Sequence, residues 1–334
     1  ELEREDVTEN RGDFVFSDPK SIVLLWDVLD HLDWGSRNLL IVGERGVGKE
    51  VIANVIGHSR KQDVISVNCA SLVETIADSQ LFGIAKNAGV SNVGPEGKQG
   101  IVADANGKVL FLDEFFEAPT NISAKLLRLL QQPRTYKQVG STKDVFLDEK
   151  TIIVAASNRY PTISQLEVAM LGGDVRSDLI DRFQARLELP PLRARKREIG
   201  DIAKSVLRRI PGTNRFHSLD ETTAQTLRHA DHSWPGNVRE LEALIAKHAR
   251  LQRHLTPEDG VLKISEQAIS AWLAIAQHQA ASHRQPGCTP PPTDGLSAWE
   301  PTQLRTLRLR QLLLALLAKR TSEGIAQVHT RWVG

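Results

Sequence analysis

Short apolar runs alternate with helical patterns from about residue 20 to residue 190. Five of these runs have the length and composition of β-strands: Leu39–Val42, Val64–Val67, Val109–Leu112, Ile152–Ala155 and Ala185–Leu189. Strands that alternate with helices are typical of a parallel sheet with helices on both faces. The pattern therefore predicts an α/β fold for this part of the chain.

The rest of the chain divides by composition. Residues 1–13 are charged and are expected to be a lead-in, so the α/β domain is predicted to span residues 14–192. Residues 193–276 have helical periodicity and no good strand, which predicts a small helical domain that acts as a lid. Residues 277–295 contain Gln-Pro-Gly and Pro-Pro-Pro and are interpreted as a linker. Residues 296–334 are rich in leucine and are predicted to form a helical tail.

A glycine-rich segment stands between the first predicted strand and a helical pattern: Gly43-Glu44-Arg45-Gly46-Val47-Gly48-Lys49-Glu50. Such a turn points several backbone N–H groups at one anion, and the helix N-terminus adds partial positive charge. Lys49 is placed to reach the β- and γ-phosphates of a nucleotide. The general motif ends in Lys-Ser/Thr, so Glu50 is unusual. An ordinary strand–helix turn is the alternative, but the flanking strand and helix favour a phosphate loop.

A second motif is the apolar strand that ends in Asp113-Glu114. In a nucleotide hydrolase, the first carboxylate holds Mg²⁺ and the second orients and polarises the attacking water. Taken alone, the pair is equally consistent with the N-terminus of a helix. Downstream of a phosphate loop in the same α/β pattern, the hydrolase interpretation is favoured.

Four further polar residues are candidates whose roles the local sequence leaves open. Asn158 ends a strand and can contact the water or the γ-phosphate, or serve a turn. Arg176 and Arg182 share one predicted helical segment and can pair with acids in their own domain or reach a neighbouring subunit's γ-phosphate. Arg239 falls in the first turn of a helix after Trp234-Pro235-Gly236, where Asn237 is a candidate cap. Arg239 can face the nucleotide or the solvent.

Composition narrows the classes of function. The chain has 334 residues, 41% of them hydrophobic, and a net charge of +1, so no overall field favours nucleic acid or a membrane. No apolar stretch approaches the length of a membrane span. The two cysteines, Cys69 and Cys288, show no metal-binding pattern and suit a reducing compartment, so a cytoplasmic location is expected. Because the chain begins with Glu and its one Met is Met170, it is expected to be part of a longer protein with an N-terminal sensor.

Together the motifs resemble, over roughly residues 14–275, the AAA+ ATPase module of bacterial sigma-54-dependent transcriptional activators (enhancer-binding proteins). The family's phosphate loop reads Gly-Glu-Ser-Gly-Thr-Gly-Lys-Glu, so Glu50 is the family's usual residue. Other segments match in the family's motif order: Val67–Leu72, Leu81–Gly83, Val175–Phe183, Leu189–Arg193 and Trp234–Leu241. The resemblance implies ATP hydrolysis with Mg²⁺ and a ring, expected to be a hexamer.

The resemblance also implies roles for individual residues. Asp113 would hold Mg²⁺ and Glu114 would be catalytic, with Asn68 switching Glu114 between active and idle positions. Asn158 would sense the γ-phosphate, Arg176 and Arg182 would be arginine fingers acting in the neighbouring subunit, and Arg239 would contact the nucleotide from the lid. The remaining nucleotide-binding residues would be those of the phosphate loop: Gly43, Glu44, Gly46, Val47, Gly48, Lys49 and Glu50.

One segment departs from the family. Where relatives carry Gly-Ala-Phe-Thr-Gly-Ala, whose Phe-Thr tip contacts sigma-54, residues 84–100 contain neither Phe nor Thr. A smaller departure is Gln138, where relatives commonly carry Arg. The expected function is an ATP-hydrolysing oligomeric regulator that remodels a protein, either sigma-54 RNA polymerase or another target. The alternatives are a remodelling ATPase outside transcription and a nucleotide-gated switch with little turnover.

The basic, leucine-rich tail also has two interpretations. It contains Arg305, Arg308 and Arg310, and a Gly-containing turn follows them, which is consistent with the start of a DNA-binding helix-turn-helix. Leucine-rich helices are also common in protein cores. The tail is therefore a candidate DNA-binding segment or a packing helix.

Overall fold

The computed structural model describes residues 37–89, 94–210, 218–252 and 260–282, together with Leu32 and Phe216. The chain divides into two compact units, residues 1–279 and residues 280–334. The predicted linker and tail lie outside the described residues, apart from the end of the last helix. The domain boundaries stated above therefore stay predictions.

The strands are β1 Asn38–Gly43, β2 Val64–Asn68, β3 Val109–Asp113, β4 Thr135–Tyr136, β5 Val145–Phe146, β6 Ile152–Ser157, β7 Ala185–Leu189, β8 Ser218–Leu219 and β9 Val261–Leu262. The helices are α1 Lys49–Ser59, α2 Ala77–Phe82, α3 Ile101–Asp104, α4 Thr120–Leu130, α5 Ile163–Leu171, α6 Ser177–Ile180, α7 Ile199–Arg209, α8 Glu221–His229, α9 Asn237–Leu251 and α10 Glu266–Ser282. At least one helix lies between each of the strands β1, β2, β3, β6 and β7 and the next of these five along the chain.

Five strands form one sheet in the order β2-β3-β6-β1-β7, and every pair in it is parallel. These are the five strands predicted from the apolar runs, so the α/β prediction is confirmed. Because the strands are parallel, their carboxyl ends share one edge of the sheet, where α/β proteins bind ligands. In this register Asn68 lies opposite Asp113, and Gly43 lies opposite Leu189.

Helices cover both faces of this sheet because successive side chains of a strand point in opposite directions. In β1, Leu39 and Ile41 belong to one buried cluster with Ile52 of α1. Leu40 and Val42 belong to a second cluster, which includes Leu126 of α4. Burial on both faces explains why β1 is apolar without alternation.

A separate hydrophobic core forms the helical domain that follows β7. Its buried members come from α7 to α10 and the segments between them, and they include Leu192, Ile199, Leu207, Leu227, Trp234, Leu241, Ile245 and Leu262. The prediction that this region contains no strand is wrong, since β8 and β9 pair in parallel. Two residues a strand are too few to show the alternation by which strands are found in a sequence.

Asn237 joins the helical domain to the phosphate loop, residues Gly43–Glu50. It is fully buried, and its Oδ1 accepts a hydrogen bond from Leu192 N–H at 2.7 Å. Its Nδ2 donates to the carboxylate of Glu44 at 3.1 Å and to the carbonyl of Arg45 at 3.0 Å. The prediction that Asn237 caps α9 is wrong, because Asn237 is the first residue of the helix and its side chain points to the loop.

Two more contacts support the same junction. The N–H of Val238 donates to the carbonyl of Gly46 at 3.0 Å. The guanidinium of Arg193, which follows β7, bonds both carboxylate oxygens of Glu44 at 2.8 and 2.5 Å. Arg193 is the main reason that the pKa of Glu44 is lowered, and Asn237 and Lys49 act in the same direction. The phosphate loop is therefore held by charged and neutral bonds to the helical domain.

No helix in the described ranges combines the length and the apolarity that crossing a lipid bilayer requires.

Replacing Asn237 tests the importance of this junction for stability. Asn237→Ala leaves a buried N–H and a buried carbonyl unpaired, so we expect it to lower the free energy of unfolding by at least about 2 kcal/mol. Asn237 has φ 53°, in the left-handed region that glycine adopts without strain. Asn237→Gly is thus the control that removes the side chain without straining the backbone. Urea denaturation gives the free energy of unfolding of both variants.

We expect Asn237→Gly to be destabilised by nearly as much as Asn237→Ala, the difference being about 1 kcal/mol of backbone strain. A glycine variant within about 0.5 kcal/mol of the wild type would show that the side-chain bonds contribute little.

Candidate functional site: a nucleotide site at the carboxyl edge of the sheet

The phosphate loop leaves β1 and turns directly into α1, as the sequence predicts. Gly46 and Gly48 have φ 78° and 103°, and Gly48 immediately precedes the first residue of the helix. At Gly46 a Cβ atom would lie 2.4 Å from the carbonyl oxygen of Gly236, so no larger residue fits beneath the helical domain. The loop therefore presents its backbone N–H groups and the N-terminus of α1 to the same space, as an anion site does.

Lys49 lies at the centre of this loop and is 8% exposed. Its Nζ donates to the carbonyls of Gly43 at 2.9 Å and Glu44 at 3.0 Å. Burial lowers the pKa of Lys49, and the nearby carboxylates of Glu114 and Asp113 oppose that effect. The lysine is thus kept inside the loop, next to the two acidic residues at the carboxyl end of β3.

Three neighbouring strands place their polar residues at the same edge. Asn68 ends β2, Asp113 ends β3, and Asn158 directly follows β6. The shared edge therefore brings Asn68, Asp113, Glu114 and Asn158 together, and the charges of Asp113 and Glu114 act on Lys49.

Glu114 is fixed in an unusual backbone conformation, with φ 50° and ψ 47°. Such conformations are costly for residues other than glycine and are found where the surroundings enforce them. Here Asn158 Nδ2 donates to Glu114 Oε1 at 2.6 Å, and the N–H of Asn158 approaches Oε2 at 3.4 Å. Glu114 N–H also donates to Asp113 Oδ1 at 3.0 Å. Asn158 is therefore the residue that orients the carboxylate of Glu114.

Asn68, which is expected to switch Glu114 between two positions, uses its side chain in this structure to bond the backbone that follows it. Its Oδ1 accepts a hydrogen bond from Ala70 N–H at 2.9 Å, and its side chain is exposed. The bond caps the short 3-10 turn Cys69–Ser71. Cys69 is buried beneath the site, where desolvation, together with Asp113 and Glu114, raises the pKa of its thiol to about 12. The thiol is therefore part of the hydrophobic core.

The three candidate arginines fall in two places. Arg239 of α9 lies beside the loop, since its Cβ is 3.2 Å from where a Cβ of Gly46 would stand, and its charge lowers the pKa of Lys49. Arg182 lies at the other end of β1, because its carbonyl accepts a hydrogen bond from Asn38 at 3.0 Å. Arg176 bonds Asp178 at 3.1 and 2.7 Å and is exposed.

The prediction that Arg176 and Arg182 share one helical segment is wrong. The helix between them, α6, is only four residues long, and Arg176 precedes it while Arg182 follows it. Arg176 and Arg182 therefore flank this helix and do not belong to it.

The sequence gives no signal for the roles of two further residues, Arg193 in the site and Asn38 at the opposite end of β1. Arg193 belongs to a motif that predicts no contact for it, and its bond to Glu44 depends on the fold bringing residues 149 positions apart into contact. Asn38 precedes the apolar run of β1 and carries no motif at all. Glu44, predicted to bind the nucleotide, uses its carboxylate to hold the helical domain and leaves only its backbone to line the loop.

The site fits a nucleotide better than a resident metal cluster. Among the described residues, no three His, Cys, Asp or Glu side chains are grouped so that they could hold a metal ion by themselves. Oδ1 of Asp113 accepts a hydrogen bond from the N–H of Glu114. The other carboxylate oxygen remains for a Mg²⁺ ion, which proteins bind through one or two carboxylates together with the phosphates of a nucleotide.

Comparison with known proteins agrees with this geometry. The family model of the sigma-54 interaction domain matches residues 18–188. The chain is 33% identical over 271 residues to the anaerobic nitric oxide reductase transcription regulator NorR of Vibrio vulnificus, a match that covers 79% of this chain and 51% of NorR. It is 34% identical over 260 residues to the sigma54-dependent transcriptional activator SfnR of Pseudomonas putida, covering 77% of this chain and 67% of SfnR.

The chain spans about half the length of NorR. Among solved structures it is similar to NtrX from Brucella abortus, whose crystal structure was determined in complex with ATP. The TM-score is 0.63 at 22% identity, and the match covers 96% of this chain and 67% of that one. At this identity the likeness shows the fold. The family match and the two relatives show that the chain belongs to the sigma-54 interaction domain family, the AAA+ ATPase domains of enhancer-binding proteins.

Proposed function

We propose that this chain hydrolyses ATP as a ring-forming module of a transcriptional regulator and uses the turnover to remodel a protein partner. The observation that carries the proposal is the grouping of Lys49, Asp113, Glu114 and Asn158 at one edge of the sheet, beside a loop built for phosphate. The family supports the same function.

The phosphate loop and Lys49 bind the triphosphate. Backbone N–H groups of the loop and the N-terminus of α1 meet the phosphate oxygens. The Nζ of Lys49, which now bonds two loop carbonyls, exchanges them for the more negative phosphates. Arg239 approaches the same loop from the helical domain, so it adds a second positive charge near the nucleotide.

Glu114 acts on the attacking water. Asn158 fixes Oε1 with a short hydrogen bond, while its N–H reaches Oε2 only at 3.4 Å. Oε2 therefore keeps a lone pair with which to accept a hydrogen bond and then a proton from the water. Asp113 is the residue that would hold Mg²⁺, which neutralises developing phosphate charge when bound. We propose that Asn68 takes over the bond to Glu114 in another state of the cycle, since its position opposite Asp113 brings it near.

The arginines complete the site of a second copy of the chain. β1 has six residues, so Asn38 and Gly43 lie about 16 Å apart at a rise of about 3.3 Å per residue. Arg182 is bonded to Asn38 at the amino end of β1, and the phosphate loop starts at the carboxyl end. This distance argues against catalysis by Arg182 in its own site. We therefore place Arg182, with Arg176, against the γ-phosphate of a neighbour in a ring, for which a hexamer is proposed.

The segment of residues 84–100 is proposed to contact the target. Its stem is ordered by backbone hydrogen bonds between Ile84 and Lys98 at 2.7 and 2.8 Å. Val139 joins the stem through Gly83 at 2.9 Å and Ala85 at 3.0 Å, next to Gln138. Residues 90–93 lie outside the described residues. The stem thus supports a family-type loop, while the sequence of the loop lacks the Phe-Thr that relatives use.

This departure favours a second candidate for the target, a protein other than sigma-54 RNA polymerase, in transcription or outside it. A switch with little turnover is less well supported, because Glu114 is oriented for catalysis by Asn158.

DNA binding by residues 296–334 and a cytoplasmic location remain proposals that rest on the family.

The role of Glu114 is tested by Glu114→Gln. The amide keeps the shape of the side chain but accepts no proton, so we expect ATP turnover to fall about 10²- to 10⁴-fold with ATP binding retained. Glu117→Gln is the matched control, because Glu117 is exposed and pairs only with Arg159 at 3.6 Å among the residues described. Steady-state phosphate release and nucleotide titration give the two quantities. Turnover of Glu114→Gln within threefold of the control would exclude this role.

The altered loop is tested with purified sigma-54 holoenzyme and a promoter that melts only when an activator hydrolyses ATP. We expect active ATP turnover and little open complex, because the Phe-Thr tip is absent. A variant whose residues 84–100 are replaced by the family's loop is the matched comparison and is expected to gain open complexes. Robust open-complex formation by the natural chain would contradict the altered target.

A further inference from the structure

The backbone of Arg182 is held firmly while its side chain is not. Its carbonyl accepts the hydrogen bond from Asn38, and its N–H donates to Leu179 at 3.4 Å. Its guanidinium, in contrast, makes no hydrogen bond or ion pair to any described residue, and its Nε is buried. Arg176 differs, since both ends of its guanidinium bond Asp178. Arg182 thus has no hydrogen bond or ion pair to a described residue that a turn of its side chain would break, although its charge helps to lower the pKa of Asp178.

Asn38 is the side chain that fixes this point of the backbone. It is 4% exposed, and its Nδ2 donates to the carbonyl of Leu130 at 2.8 Å as well as to that of Arg182. One amide group therefore joins the start of β1, the end of α4 and the turn before β7. Its two protons are both used, so no shorter or apolar side chain replaces it.

The surroundings leave room for the guanidinium to move. Asn38 and Arg182 line a cavity of about 340 Å³ together with Arg37, Gln131, Gln132 and Asp181. Within the described part of the chain, Asn38 Oδ1 has no hydrogen-bond partner either. The backbone of Arg182 is therefore held in place, while its side chain has room to move. This combination suits a guanidinium group that must turn towards another subunit.

We infer that Asn38 is a positioning residue for Arg182, which sets the finger in place for the nucleotide of the neighbouring copy. The inference rests on the proposed ring and goes beyond it, because Asn38 touches neither the nucleotide nor the phosphate loop. Misplacing a catalytic group by about 1 Å costs about 10²-fold in rate. Loss of the anchor therefore impairs catalysis in the neighbour and spares the site on the same chain.

The test uses Asn38→Ala and Asn38→Leu, of which the second keeps the branched shape of the side chain and removes both donors. We expect kcat for ATP to fall about 10- to 100-fold in each variant. ATP binding and the thermal unfolding midpoint are measured on the same samples, and ATP affinity is expected to stay within about twofold of wild type. Arg182→Ala serves as the reference for a missing finger.

Mixing experiments separate positioning from damage to the chain's own site. Lys49→Ala chains lack a working phosphate loop but keep Asn38 and Arg182, so in a mixed ring they supply a finger to a variant's intact site. We expect Asn38→Ala and Arg182→Ala each to gain activity when mixed with Lys49→Ala, above the sum of the separate rates.

The outcomes distinguish the two proposals. If Arg182→Ala regains activity on mixing but Asn38→Ala does not, or if both Asn38 variants turn over like wild type, the inference is overturned and the ring stands. If Arg182→Ala is fully active alone, or regains nothing on mixing, the shared site itself is wrong and the inference fails with it.

Discussion

The bonds of Asn237 are the constraint on which the rest of the site depends. This one buried amide holds the backbone before α7, the carboxylate of Glu44 and the carbonyl of Arg45. These hydrogen bonds tie the phosphate loop to the helical domain. A change in the shape of the loop would therefore break them or move the helical domain. A glycine at position 46 is required for the same reason, because Gly236 lies against it. Nucleotide chemistry and domain position are therefore coupled at the loop itself.

The internal strand β1 connects this loop with the arginine of the proposed neighbouring site. Gly43 at its carboxyl end opens the phosphate loop, and Asn38 at its amino end holds Arg182. β1 pairs with β6 on one side and β7 on the other, which fixes both of its ends within the sheet. Under the proposed function, each chain carries two half-sites, one with the phosphate loop and the acidic residues and one with the arginine fingers. Assembly into the proposed ring would bring unlike halves together, so that neither half needs the other within one copy.

The sequence predicted the parts of the structure that depend on local pattern. Runs such as Val109–Leu112 are long and apolar enough to show as strands, and the spacing of Gly43, Gly46 and Gly48 defines the loop. Contacts between distant residues could not be predicted in this way. Arg193 and Asn237 meet Glu44 only in the folded chain, and Asn38 is one polar residue before an apolar run. The strands β8 and β9 have two residues each, which is too short for an alternating pattern of apolar and polar residues. They are defined only by the hydrogen bonds between them, which the sequence does not show.

Because the two proposed half-sites lie at opposite ends of β1, we expect catalysis to require assembly. This is measured by the ATPase rate per chain over a wide range of protein concentration, with particle mass followed by light scattering on the same samples. We expect a rate per chain that is very low for the monomer and that rises in step with assembly to a plateau. A rate per chain that is the same in monomer and ring would contradict this expectation.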